Sequence, residues 1–154
     1  KKTTFSKKKK ELNVKNSKYK RNQPPGSFGG TYGGNILSCA AANATLDVFE
    51  KEELVKNAEL RGKQMKQGLE ELAKNPKYRI KDVRGLGLML GVEFDGVKEG
   101  TTGKLVQECH DEGLLVLSCS AFQVLRFSPP LIISEQEVNK ALSIFKKVLD
   151  NHKF

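Results

Sequence analysis

The sequence predicts an α+β fold, a small antiparallel sheet with helices on one face. Three observations predict it. Across residues 52–74, Leu54, Ala58, Met65, Leu69 and Leu72 recur on one face of a 3.6-residue period. In LGLMLGVEF the period changes. Leu86, Leu88, Leu90, Val92 and Phe94 alternate strictly, as in a strand with one apolar face. Near the end, Val138, Ala141, Leu142, Phe145, Val148 and Leu149 return to helical spacing. A chain of 154 residues is long enough to enclose a core.

The elements follow in order. The opening segment, KKTTFSKKKKELNVKNSKYKR, has few apolar residues and no period, and reads as a disordered basic tail. NQPPG is a turn signal. GSFGGTYGGN, residues 26–35, then packs five glycines into ten residues. Asn35 is the expected N-cap of a helix over 36–49, rich in small residues at Ala40, Ala41, Ala42 and Ala44. The long helix 52–74 ends at Asn75-Pro76, because a residue before proline avoids the helical region. The strand 86–94 carries Gly85, Gly87 and Gly91 on its other face, and Asp95-Gly96 closes it as a turn. Thr101 or Thr102 is expected to cap a short helix to about Glu112, with Gly113 as its C′ residue. LLVLSC (114–119) and QVLRFSPP (123–130) are two further strands. Ser134 and Glu137 have capping-box spacing before the last helix. No internal repeat is visible.

Charge and composition narrow the function classes. The net charge is +9, and residues 1–21 hold all of it: nine Lys and Arg21 against Glu11. The remaining residues balance, with 17 basic and 17 acidic side chains. The tail reads as an arm for nucleic acid or anionic lipid, or as a merely solvated segment. Mean hydropathy is −0.48 and no apolar run is long enough to span a membrane. No secretory leader pattern is visible, so the expected location is intracellular, cytoplasmic or mitochondrial. Cys39, Cys109 and Cys119 fit no zinc or redox spacing and are read as reduced thiols. With only His110 and His152, no histidine metal site is expected.

Two features carry chemistry. A glycine-rich turn before a helix can cradle an anion through free N–H groups and the helix dipole, with Thr31 adding a hydroxyl. It can equally be a plain turn. The Gly-Lys-Ser/Thr of a P-loop is absent, and no strand precedes the loop as a dinucleotide fingerprint requires. The second feature is Arg126. By alternation it points away from Leu125 and Phe127, and an arginine on an apolar strand needs either a ligand carboxylate or a structural one. Arg84, before GLG, has the same two readings. Paired carboxylates, a Cys/His dyad and a serine-nucleophile motif are all missing, so no catalytic residue is assigned.

PPGSFGGTYGGN, CAAANATLDVFE, DVRGLGLMLGVEF, GLLVLSC and VLRFSPPL, in this order and spacing, resemble the C-terminal part of class III aminotransferases. These are pyridoxal-phosphate enzymes, and the similarity is to the 4-aminobutyrate aminotransferase-like group. It runs from about Gln23 to Leu149. The resemblance implies the small domain of a fold-type-I transferase, preceded by a long interdomain helix. The domain reading is a basic tail at 1–22, a remnant of the large cofactor-binding domain at 23–51, and the interdomain helix with the small domain at 52–154. It also implies that Gly30 and Thr31 reach the phosphate of the neighbouring subunit's pyridoxal 5′-phosphate, and that Arg126 holds the substrate carboxylate.

In the family the Schiff-base lysine and most cofactor contacts lie upstream of the glycine loop. Here the Lys-rich tail stands in that place, and none of its lysines has the family's flanking residues. The expectation is therefore a C-terminal fragment, inactive alone. Its family chemistry is transfer of an amino group from an ω-amino acid to a 2-oxo acid, in a homodimer or with a complementing chain. The rival expectation is a non-catalytic interaction protein with a polyanion-binding tail.

Overall fold

The computed structural model of the chain describes residues 33–119 and 122–154. The chain divides into two compact units, Lys1–Ala44 and Thr45–Phe154. In the first, the described part is a turn at Gly33-Gly34 and the start of helix α1 (Ile36–Lys51), which runs across the unit boundary. Asn35 caps this helix as expected: its side-chain oxygen accepts the Ser38 N–H at 3.1 Å. No residue of α1 is buried. The glycine loop upstream of Gly33, with Gly30 and Thr31, and the basic tail lie outside the described residues.

The second unit is α+β. Its elements are α2 (Leu54–Ala73), a 3₁₀ turn (Pro76–Tyr78), β1 (Ile80–Leu86), β2 (Met89–Phe94), α3 (Thr101–Asp111), β3 (Leu117–Cys119), β4 (Val124–Phe127) and α4 (Glu135–Asn151). The four strands form one antiparallel sheet in the order β1-β2-β4-β3. Among the described residues, helices cover one face only. Leu90, Val92, Phe94, Leu125 and Phe127 point into that face and are buried against Met65 and Leu69 of α2, Leu105 and Cys109 of α3, and Phe145 and Leu149 of α4. The Phe127 and Phe145 rings meet edge to face, with centroids 5.1 Å apart.

The first correction concerns the strand expected over 86–94. The alternating run Leu86–Phe94 is not one strand but the end of β1, a two-residue loop and β2. Leu86 pairs with Met89, and Gly87-Leu88 form the turn. Gly87 takes φ +56°, the positive value that a tight hairpin of right-handed twist needs at its first loop position. The turn rests on α2. A Cβ at Gly62 would stand 2.2 Å from the Gly87 carbonyl oxygen, so only glycine permits this approach.

The helix ends follow local chemistry. Glu53, in the left-handed region at φ 48°, separates α1 from α2. The α3 cap differs from expectation: Gly100, at φ 82°, occupies the N-cap, and Thr101 and Thr102 are buried in the first turn. Its other end is as expected. Gly113 has φ +83°, its N–H donates to the His110 carbonyl at 2.9 Å, and the Leu114 N–H donates to the Cys109 carbonyl at 2.8 Å. At α4 the capping box is complete. Ser134 Oγ accepts the Glu137 N–H at 3.2 Å, and Glu137 accepts the Ser134 N–H at 2.8 Å. A polar seam locks α2 to α4 and the segment before it. Asn57 donates to the carbonyls of Leu131 and Ile133 at 2.7 and 3.0 Å, and Arg61 pairs with Glu135 at 2.8 Å.

Candidate carboxylate site on the open face of the sheet

The face of the sheet away from the helices is set by strand parity. Register places Arg84, Gly91, Arg126 and Leu117 in one row across β1, β2, β4 and β3. The next row is Asp82, Glu93, Val124 and Cys119. Leu86 and Met89 stand beyond Arg84 and Gly91 at the hairpin end. As expected from alternation, Arg126 leaves the face that Leu125 and Phe127 share, and it is exposed while both are buried.

The two arginines of this row have different settings. Arg84 is satisfied within the chain: its guanidinium pairs with Asp82 at 2.9 Å and with Glu93, which also receives Lys81 at 3.1 Å. Those hydrogen bonds, Arg84 first and then Lys81, hold the Glu93 carboxyl below its ordinary value. The structural reading of Arg84 is thus the observed one. The Arg126 guanidinium has neither a carboxylate nor a hydrogen-bond partner among the described residues. It borders a shallow depression of about 380 Å³ walled by Leu86, Met89, Val124 and Phe122. Leu86 is 90% exposed, Phe122 71% and Met89 64%. An unpaired guanidinium beside apolar walls suits an anion carried on a short aliphatic chain.

The described residues do not fit a whole pyridoxal phosphate. The open face offers one unpaired guanidinium, and its lysine, Lys81, is engaged with Glu93. Gly30 and Thr31, the residues expected at the phosphate, are outside the described residues, so the structure does not bring them together with Arg126. Sequence reasoning missed the Asp82–Arg84–Glu93 cluster, because β1 itself was not recognised. The signal was available in the alternating charges of KDVR. Cys109 sits in the core, and burial pushes its thiol up to about 12, which makes it an inert packing residue. Among the described residues there is no group of side chains arranged for a metal ion, and no helix is long and apolar enough to cross a membrane.

The sequence and the fold have clear counterparts. A family model described as aminotransferase class-III matches residues 11–149, and the chain belongs to that family. The match begins upstream of Gln23, inside the basic stretch. The chain is 40% identical over 130 residues to an acetylornithine aminotransferase of Caldanaerobacter subterraneus, covering 84% of this chain and 32% of that protein. It is 40% identical over 137 residues to a 4-aminobutyrate aminotransferase of Escherichia coli, again 84% and 32%. Among solved structures, the acetylornithine aminotransferase of Elizabethkingia anophelis superimposes with a TM-score of 0.75 at 31% identity, over 84% of this chain and 34% of that one. The chain thus spans about a third of the length of the relatives it matches.

Proposed function

We propose that these residues form the small-domain part of a pyridoxal-phosphate-dependent aminotransferase. It moves an amino group from an ω-amino acid of the 4-aminobutyrate kind to a 2-oxo acid. The observation that carries this is Arg126, a guanidinium unpaired among the described residues, on a sheet face that the described helices leave open. In this reading Arg126 holds the substrate carboxylate. Gly30 and Thr31 approach the phosphate of a cofactor held mainly by a neighbouring subunit, so a homodimer or a complementing chain is required. The cofactor supplies the electron sink for amino transfer, and the anchoring lysine comes from sequence outside these residues. The basic stretch adds a weak, salt-dependent affinity for polyanions. The family match supports this reading over that of a non-catalytic interaction protein.

The test is a chimera. Residues 23–154 replace the matching part of the Escherichia coli 4-aminobutyrate aminotransferase, and transfer from 4-aminobutyrate to 2-oxoglutarate is followed. Activity is expected, with Arg126→Lys raising KM about ten-fold or more, since lysine loses the bidentate grip. An active chimera whose KM ignores Arg126→Lys overturns the assignment. The isolated 154-residue chain is expected to show no turnover. A cofactor adduct reducible onto one of its lysines, with turnover, would overturn the division of labour.

A further inference from the structure

A glycine inside a central strand weakens it, because it loses backbone entropy and packs nothing. Most glycines of the hairpin region have a reason within the chain. Gly62 makes room for the turn, and Gly85 takes φ +142° with the Met89 carbonyl oxygen 2.1 Å from where its Cβ would be. Gly91 has no such reason. It lies mid-strand in β2, its φ is not positive, and among the described residues a Cβ there would meet Val124 Cγ1 at 3.4 Å and the Arg84 carbonyl oxygen at 3.9 Å and nothing nearer. The first is snug and the second ordinary, so the described residues leave room for a side chain that the sequence withholds.

What stands on either side of that gap is informative. Gly91 is directly opposite Arg84 on β1 and Arg126 on β4. Side chains so paired lie about 5 Å apart at Cβ, within reach of each other. Any side chain at 91 would therefore rise between the two arginines and against the Arg126 stem. With Arg84 neutralised by Asp82 and Glu93, the row keeps one uncompensated positive charge, on Arg126.

We infer that Gly91 is a clearance and specificity-determining position. Its missing side chain opens the lane through which an aliphatic monocarboxylate reaches Arg126, with Arg84 held out of competition by its own carboxylates. This rests on the reading of Arg126 as a carboxylate site. The lane explains why the depression lies over Gly91, walled by Leu86 and Met89 on one side and Val124 and Phe122 on the other. One charge and apolar walls suit one carboxylate group carried on a carbon chain.

The test uses the 154-residue chain, with phenylglyoxal as a probe of free guanidinium groups, pentanoate as the carboxylate and mass spectrometry to map each arginine. Arg79, exposed and away from the open face, is the internal reference. Gly91→Val is expected to slow Arg126 modification about five-fold relative to Arg79 and to remove protection by pentanoate, while leaving Arg84 unchanged. Thermal unfolding should be unchanged or slightly raised, since valine suits a strand. Should the valine variant fail to fold, Gly91→Ala decides, with an expected slowing of about two-fold. Unaltered Arg126 reactivity and protection in the folded variant overturn the inference, whatever the role of Arg126. Absence of pentanoate protection in the unsubstituted chain instead overturns the carboxylate reading, and the Gly91→Val rate still decides the clearance.

Discussion

The two faces of the sheet are made by the same strands and obey opposite rules. On the helix side, Leu90 is 1% exposed and Leu125 and Val92 are fully buried. On the other side, Leu86 is 90% exposed and Leu117 52%. The open side mixes a neutralised arginine, an arginine unpaired among the described residues and apolar side chains facing solvent. The difference teaches where the fold ends and the function begins. The helix side is closed by packing; the open side, on the function proposed above, is where a ligand carboxylate is held.

That contrast can be broken by mutation, and the largest effect should come from the helix side. Phe145→Ala removes a fully buried ring that contacts Phe127 and should cost about 3–5 kcal/mol, read by urea unfolding. A loss below about 1 kcal/mol would mean that this core is loosely packed. Gly62→Ala comes next. Its methyl group would collide with the Gly87 carbonyl oxygen, backbone against backbone, so the hairpin must lift from α2. The expected loss is about 2 kcal/mol, and wild-type stability in this variant would refute the close approach.

Ser134→Ala should cost about 1 kcal/mol through the lost cap. It also has a pH signature. The backbone and side-chain hydrogen bonds of Ser134 hold the Glu137 carboxyl below its ordinary value of 4.5. A depressed carboxyl contributes stability that is fully present above that ordinary value and lost as pH falls through the folded one. Stability should therefore decline from about pH 4.5 downward, less steeply in Ser134→Ala; identical acid profiles would contradict the linkage. The smallest effect belongs to the open side. Leu86→Ser and Arg126→Lys should each change stability by no more than about 0.5 kcal/mol. A larger loss would show that this face is part of the fold after all.

Much of this was legible in the sequence, and the exceptions share a cause. The last helix was legible because its apolar period and its Ser134–Glu137 box agree. The direction of Arg126 was legible because β4 alternates cleanly between Leu125 and Phe127. β1 was not, because it is an edge strand with one buried side chain, Val83, among Lys81, Asp82 and Arg84, and its charges mask the alternation. The hairpin was hidden by its own shortness. A two-residue loop reverses parity, so even-numbered residues point outward in β1 and inward in β2, and Leu88, buried in the turn, bridges the two runs. The α3 cap was misread because Gly100 supplies a backbone solution where the threonines offered a side-chain one. The free state of Arg126 could not be read from sequence at all. It depends on which carboxylates the topology brings near, and those went to Arg84.

The short turn at Gly87-Leu88 has an evolutionary consequence. One residue inserted there, unless a bulge absorbs it, would reverse β1, sending Val83 to the open side and Asp82 with Arg84 into the core, and it would disturb the close approach of Gly87 to Gly62. Gaps among descendants of this gene should therefore avoid 87–88. They should gather instead in the segment 95–100, where Gly100 meets nothing within 4 Å and length is free to drift.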